Sequence, residues 1–287
     1  MGVPKIHRVT ANGLELNVAE WGSEKSDPVL LVHGAKVQLW TWAPIAEALS
    51  RDHRVIALDL RGHGESDWAN DGYPVEAFVS DIVEVIGSLG IAPADVVGHS
   101  LGARISIALA AEHPELVRRL ILSDTGPEMA STAARVNQSL LGSGEERRGF
   151  NSREELVKYY EAQHPEWRDE FIQLHADHQV RRNWAGKLVF RADPELFWLA
   201  GSAGKQETPY LWDAMSRITA PTMLMWGRTS PFMSQEIVNR MIEKIPTIVV
   251  QRPETGHYIP REDPEGFVSS VETFLVRPES SLVRDQE

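Results

Sequence analysis

Five residues constrain this chain more than any others: Gly98-His99-Ser100-Leu101-Gly102. An apolar, strand-like stretch ends at Val96-Val97 just before them. A helix-like run from Ala103 to Ala111 follows just after. A G-x-S-x-G between a strand and a helix predicts an elbow so tight that Ser100 sits in a strained backbone conformation. Glycine is required at 98 and 102 because a Cβ at either place would strike the neighbouring strand or helix. Such an elbow holds the serine hydroxyl above a sheet. It aims the N–H of Leu101, at a helix N-terminus, toward the same point.

A serine on an elbow needs a sheet around it, and the flanking sequence provides one. Residues 3–10 and 14–21 alternate apolar and polar around Asn12-Gly13, a hairpin signal. Continuous apolar runs follow at Val29–Val32, within His53–Leu60, at Asp95–Val97 and at Leu116–Ser123. Helical patterns at Trp42–Leu49, Val75–Leu89 and the elbow helix separate them. Strands alternating with helices predict a parallel sheet covered on both faces. The rhythm stops at Thr125-Gly126-Pro127. From Glu128 to about Arg217 the chain reads as helical and aromatic, carrying Trp167, Trp184, Trp198 and Trp212 with Tyr159, Tyr160, Phe171, Phe190 and Phe197. Those aromatics are expected to form a small core of the insertion, and some of them to line a pocket above the elbow. Residues 182–191 read as a short hairpin or an irregular segment. The sheet pattern resumes at Pro221–Gly227, with a helix at Gln235–Ile245, a strand at Thr247–Gln251 and a helix at Pro264–Val276. The expected division is a core of 1–126, an inserted helical cap of 127–216, and a second core part of 217–287.

Composition narrows the function classes. The chain has 287 residues with a net charge of −12 and no long basic run, which argues against nucleic acid as a partner. Its 42% apolar and 24% charged residues suit a sizeable core. Zero cysteines exclude a disulfide scaffold, a thiol nucleophile and a cysteine-bound zinc. No run approaches the about 18 apolar residues of a membrane span, and residues 1–10 contain no apolar signal-like segment. A cytoplasmic protein acting on a small molecule, as a monomer or homodimer, is expected.

The set His33-Gly34, Asp59-Leu60-Arg61-Gly62-His63-Gly64-Glu65-Ser66, Gly98-His99-Ser100-Leu101-Gly102, Trp226-Gly227-Arg228 and Gly256-His257 resembles the α/β-hydrolase superfamily, in order and spacing, over nearly the whole chain. The resemblance implies an α/β fold with a mostly parallel eight-stranded sheet, helices on both faces and a cap inserted after the sixth strand. It implies Ser100 as nucleophile and His257 as its base. His33 would order the oxyanion loop, His63 a structural loop, and His99 would pack beside the elbow. The N–H groups of Ala35 and Leu101 would form the oxyanion hole. No metal or organic cofactor is called for.

The sequence departs from the family at the acid. Where most relatives carry Asp after the seventh strand, this chain reads Trp226-Gly227-Arg228-Thr229-Ser230-Pro231. The family's other location is the end of the sixth strand, where Asp124 lies, with Glu128 as the fallback. Asp124-x-Gly126-Pro127-Glu128 together with Ser230 looks like the bacterial subgroup that includes (acetamidomethylene)succinate hydrolase. Lys36, Trp40, Arg104, Arg181 and Arg182 are candidate substrate-binding residues, the cations suiting a carboxylate and Trp40, with Trp42, a pocket wall. The leading activity is hydrolysis of a carboxylic ester, lactone or amide. C–C bond hydrolysis of a diketone-like ring-cleavage product is the enzymatic alternative, and a ligand receptor on the same fold is the non-enzymatic one.

Overall fold

A computed structural model describes residues 3–133, 148–198 and 206–276. Strands β1 (Lys5–Ala11) and β2 (Leu14–Trp21) form the hairpin, with Asn12 at φ 50° and Gly13 at φ 81° turning between them. Positive φ at both turn residues is what a two-residue turn needs to match the strand twist. Strands β3 (Pro28–Val32), β4 (Arg54–Leu58), β5 (Ala94–His99), β6 (Val117–Ser123), β9 (Thr222–Met225) and β10 (Val249–Gln251) complete one eight-stranded sheet. Its order is β1-β2-β4-β3-β5-β6-β9-β10, parallel from β4 to β10 and antiparallel on both sides of β2.

The central strands carry continuous apolar runs because both faces are covered. Leu30, Val32, Ile56, Leu58, Val96, Leu120, Leu122 and Leu224 face one core with helices α2 (Val75–Leu89) and α3 (Leu101–Glu112). Their alternates Val29, Leu31, Val55, Ala57, Val97, Ile121 and Met223 face the other, with α1 (Ala43–Leu49) and the last helix, Pro264–Val276. The period of two sorts one continuous apolar run into two cores. A short 3-10 turn, Leu39–Trp42, precedes α1, so that helix starts one residue later than its sequence pattern suggests.

The insertion leaves the sheet after β6. Its described elements are α4 (Arg153–Gln163), α5 (Asp169–His178), the hairpin β7 (Val180–Arg182) and β8 (Leu188–Phe190), and α6 (Thr208–Met215). Asn183 Oδ1 accepts from the N–H groups of Ala185 and Lys187, each at 3.0 Å, and closes the hairpin turn. Phe150, Leu156, Tyr160, Trp167, Ile172, Ala176, Val180 and Leu188 form a small separate core. The ends of the insertion belong to the main body: Ala130, Leu196, Leu211, Trp212 and Met215 join the α2–α3 core. Trp184 does not pack at all; it is 99% exposed, at the hairpin tip. The side chains of Phe197 and Trp198 lie outside the described residues.

Candidate active site

The elbow forms between β5 and α3. Ser100 has φ 54° and ψ −118°, a conformation few side chains adopt. The glycines around it are fixed by contact. A Cβ on Gly98 would lie 2.5 Å from Gly102 O, and one on Gly102 would lie 2.2 Å from Val32 O. Gly34 brings the loop after β3 against the elbow, its Cβ direction meeting Ser100 Cβ at 3.1 Å. The two backbone groups expected to stabilise an oxyanion are thus placed beside Ser100. Leu101 is the first residue of α3, where N–H groups lack intrahelical acceptors, and Ala35 lines the adjoining cavity. His33 ties this loop down: its Nδ1 donates to Gly34 O at 2.7 Å and its Nε2 accepts from Leu60 N at 3.0 Å. His63 Nδ1 donates to Arg61 O at 2.9 Å within the next loop.

Ser100 Oγ lies 3.2 Å from His257 Nε2, and His257 Nδ1 lies 2.7 Å from Asp124 Oδ2. Asp124 follows β6 directly, at φ 53°. Its carboxylate accepts from Gly227 N at 2.9 Å on Oδ1, and from the Ser230 hydroxyl on Oδ2. Gly227 N–H, the Ser230 hydroxyl and His257 Nδ1–H can all donate to the carboxylate. Burial holds the Asp124 carboxyl well above its ordinary value, with the Ser230 and Gly227 donors and the charge of Arg252 offsetting part of that rise. Since Nδ1 donates to Asp124, Nε2 is the lone-pair nitrogen facing Ser100. Burial, aided by the charge of Arg261, lowers the His257 imidazole to about 3, which keeps it neutral and able to take a proton. The ring is fixed by Phe232, stacked at 3.9 Å, and His99 Nε2 donates to the His257 carbonyl at 3.0 Å. Ser100, His257 and Asp124 therefore form one hydrogen-bonded chain. Glu128 stands outside it, paired with Arg240 at 2.5 Å.

A cavity of about 340 Å³ opens between the elbow and the insertion, and Ser100 and His257 line it. Of the residues expected to bind substrate, Lys36 is in this lining, at φ 64°, with its carbonyl accepting from Gln179. The other four are not. Trp40 stacks on His178 at 4.6 Å and meets Trp21 edge-on at 6.3 Å, wedging the insertion against the hairpin strands. Trp42 is buried in the core against Phe267. Arg104 is buried on α3 and donates to Pro127 O at 2.7 Å, with Glu207 at 3.5 Å; it anchors the two ends of the insertion. Arg181 and Arg182 are exposed on the hairpin, Arg181 over the Trp68 ring and Arg182 donating to Gly186 O at 2.8 Å. A single sequence fixes which face of a helix is polar, but not that this face is covered by another segment.

A second cation in the lining, beside Lys36, is Arg261, on the short helix Ile259–Glu262. With it are Tyr160, Trp167, His175 and Gln179 from the insertion. The sequence carried one unused hint of it, an arginine set beside Ile259-Pro260 four residues after His257. Among the described residues no group of three or more His, Cys, Asp or Glu side chains could hold a metal ion. None of their helices is long and apolar enough to cross a membrane.

The profile described as alpha/beta hydrolase fold matches residues 27–264. The chain is 28% identical over 276 residues to the 2-(acetamidomethylene)succinate hydrolase of Mesorhizobium japonicum, covering 93% of this chain and 94% of that enzyme. It is 30% identical over 264 residues to the 3-hydroxybutyrate-oligomer hydrolase of Cupriavidus necator, covering 83% and 85%. The crystal structure of E-2-(acetamidomethylene)succinate hydrolase superposes with a TM-score of 0.87 at 25% identity, over 96% of this chain and 100% of that one. The chain belongs to the α/β-hydrolase fold family of hydrolases.

Proposed function

We propose that the protein hydrolyses a carboxylic ester, lactone or amide of a small organic molecule, with Ser100 as nucleophile, His257 as general base and acid, and Asp124 as the carboxylate that orients the imidazole. The observation that carries this reading is the unbroken chain from Ser100 Oγ through His257 to Asp124. His257 Nε2 takes the hydroxyl proton as Ser100 Oγ bonds to the acyl carbon. The N–H groups of Leu101 and Ala35 receive the developing oxyanion. The imidazolium, held by the Asp124 carboxylate, then returns the proton to the leaving oxygen or nitrogen as its bond to the acyl carbon breaks. Water repeats the sequence on the acyl-enzyme: its proton goes to His257, its oxygen to the acyl carbon, and Ser100 Oγ recovers the proton. The two relatives above support an acyl substrate. One is named for a 2-(acetamidomethylene)succinate and the other for 3-hydroxybutyrate oligomers.

The test is hydrolysis of p-nitrophenyl esters of two to six acyl carbons by wild type, Ser100→Ala, Asp124→Asn and Glu128→Gln. The expected pattern is turnover by wild type, loss of about 10⁴-fold in kcat for Asp124→Asn, none above background for Ser100→Ala, and little change for Glu128→Gln. Loss in Glu128→Gln with an unaffected Asp124→Asn would move the acid to Glu128. An inactive wild type would put C–C bond hydrolysis, and then a receptor role, ahead of this reading.

A further inference from the structure

Arg261 is held in the cavity wall under conditions that disfavour a charge. Its side chain is 2% exposed. Nε donates to Thr41 Oγ1 at 2.9 Å, while Nη1 is buried with no hydrogen-bond partner. No Asp or Glu among the described residues forms an ion pair with it; the adjacent Glu262 spends its carboxylate on the N–H groups of Gly256 and Tyr258. Burial lowers the guanidinium only to about 10, so it stays charged. The rings of Trp167 and Tyr258, at 4.6 and 4.9 Å, face the cation. Such contacts return less than dehydrating an ion costs. A pocket of about 10 Å³ behind Arg261, lined by His33, Thr41 and His99, matches the volume of a single water.

The same wall carries other unpaired polar atoms. His175 Nε2, Gln179 Oε1 and Trp167 Nε1 are buried without partners, and all three residues line the cavity with Arg261. His175 donates Nδ1–H to Phe171 O at 2.8 Å, so its Nε2 is an acceptor. Gln179 gives its amide N–H to Lys36 O, so its free oxygen is also an acceptor. Arg261, Trp167, His175 and Gln179 thus each leave a buried polar atom unpaired in residues that line the cavity. The charged counterexample is Glu166, which also lines the cavity. Its side chain is 41% exposed and lies 3.4 Å from His164, so its charge meets solvent, whereas that of Arg261 does not.

We infer that Arg261 is a specificity residue that binds a carboxylate of the substrate in the cavity shared with Ser100. Resting on the hydrolase reading above, this makes the substrate class a half-ester, half-amide or related acyl derivative of a small dicarboxylic acid. The carboxylate supplies the counter-ion that the fold withholds. Guanidinium and carboxylate match as planar partners.

The experiment compares kcat/KM for p-nitrophenyl hydrogen glutarate and for p-nitrophenyl butyrate, after subtracting uncatalysed hydrolysis. The ratio of the two cancels any general loss of activity. Wild type is expected to favour the glutarate about 100-fold, the upper end of what a hydrogen bond to a charged group contributes. Arg261→Gln is expected to bring the ratio near one, Arg261→Lys to leave an intermediate value, and exposed Arg182→Gln to match wild type. A wild-type ratio at or below one, or an Arg261→Gln ratio equal to wild type, overturns the inference. Should Arg261→Gln fail to fold, competitive inhibition of wild type by glutarate but not by glutaramide supports it, and equal inhibition by both overturns it. If wild type cleaves neither ester, the hydrolase reading is what fails. Calorimetric binding of glutarate, but not glutaramide, to Ser100→Ala then still decides for or against Arg261.

Discussion

Replacing Ser230 by Ala removes one of the three donors to Asp124, the others being Gly227 N and His257 Nδ1. It also removes the acceptor for Phe232 N at 3.2 Å, and the Phe232 ring stacks on His257. A hydrogen bond to a charged group contributes about 1.5–3 kcal/mol. Ser230 is half-buried, so solvent replaces part of the loss and the lower end applies. About 1.5 kcal/mol corresponds to about tenfold in rate. The prediction is therefore a fall of about tenfold in kcat for an ester, three orders of magnitude milder than Asp124→Asn, with a drop in Tm of about 3–6 °C. Stopped-assay kinetics on p-nitrophenyl butyrate and a thermal melt measure both. Activity within twofold of wild type, beside an inactive Asp124→Asn, would refute the argument, because the hydroxyl would then not hold the carboxylate. The double variant Asp124→Asn with Ser230→Asp extends the reasoning: it places a carboxylate at the acid position usual in the family and should regain part of the lost rate.

Three further outcomes follow from the same contacts. Gly102→Ala should cost about 3 kcal/mol or more in urea unfolding, since its Cβ meets the Val32 carbonyl at 2.2 Å; exposed, helical Gly87→Ala has nothing within 4 Å and should stabilise by about 0.5–1 kcal/mol. His33, His63, His99, His175 and His257 are buried and held below their ordinary value of 6.5, mainly by desolvation. Between each folded value and 6.5 the unfolded chain binds more protons, so stability rises with pH through that window and is lost on acidification below 6.5. Asp59, raised to about 6, and Asp124, also raised by burial, oppose this in part; with five imidazoles against these two carboxyls, melts from pH 7.5 to 5 should show Tm falling, and a constant Tm would contradict neutral buried imidazoles. In the pH–rate profile for a neutral ester, the acid limb of kcat/KM should lie below 6.5, because burial and the charge of Arg261 disfavour the His257 imidazolium.

The parts of this molecule written locally were legible. Asn12-Gly13 announced the hairpin, the apolar period marked α2 at its true ends, and the elbow glycines forecast the contacts that now surround them. Asp124 and His257, 133 residues apart, could be paired because a family resemblance supplied the topology. The cavity wall had no such guide. Thr41 and Arg261 are separated by 220 residues, and nothing in either segment signals the other. The same blindness sent Arg104 to the pocket in the sequence reading, although its helix turns it toward Pro127 and Glu207. Nor does the sequence signal that the Ser230 hydroxyl, standing where most relatives carry Asp, reaches the Asp124 carboxylate from the next strand's loop. Charge pattern reveals which residues are polar; only the tertiary fold reveals which of them lack a partner.

The central claim is that Ser100 is an activated nucleophile, and its most direct test is covalent labelling. Wild type is treated with an equimolar fluorophosphonate, followed by intact mass and peptide mapping. The expected result is one label per chain, on Ser100, absent in Ser100→Ala and strongly slowed in His257→Ala. An unlabelled wild type, or a label on another residue, would contradict the account.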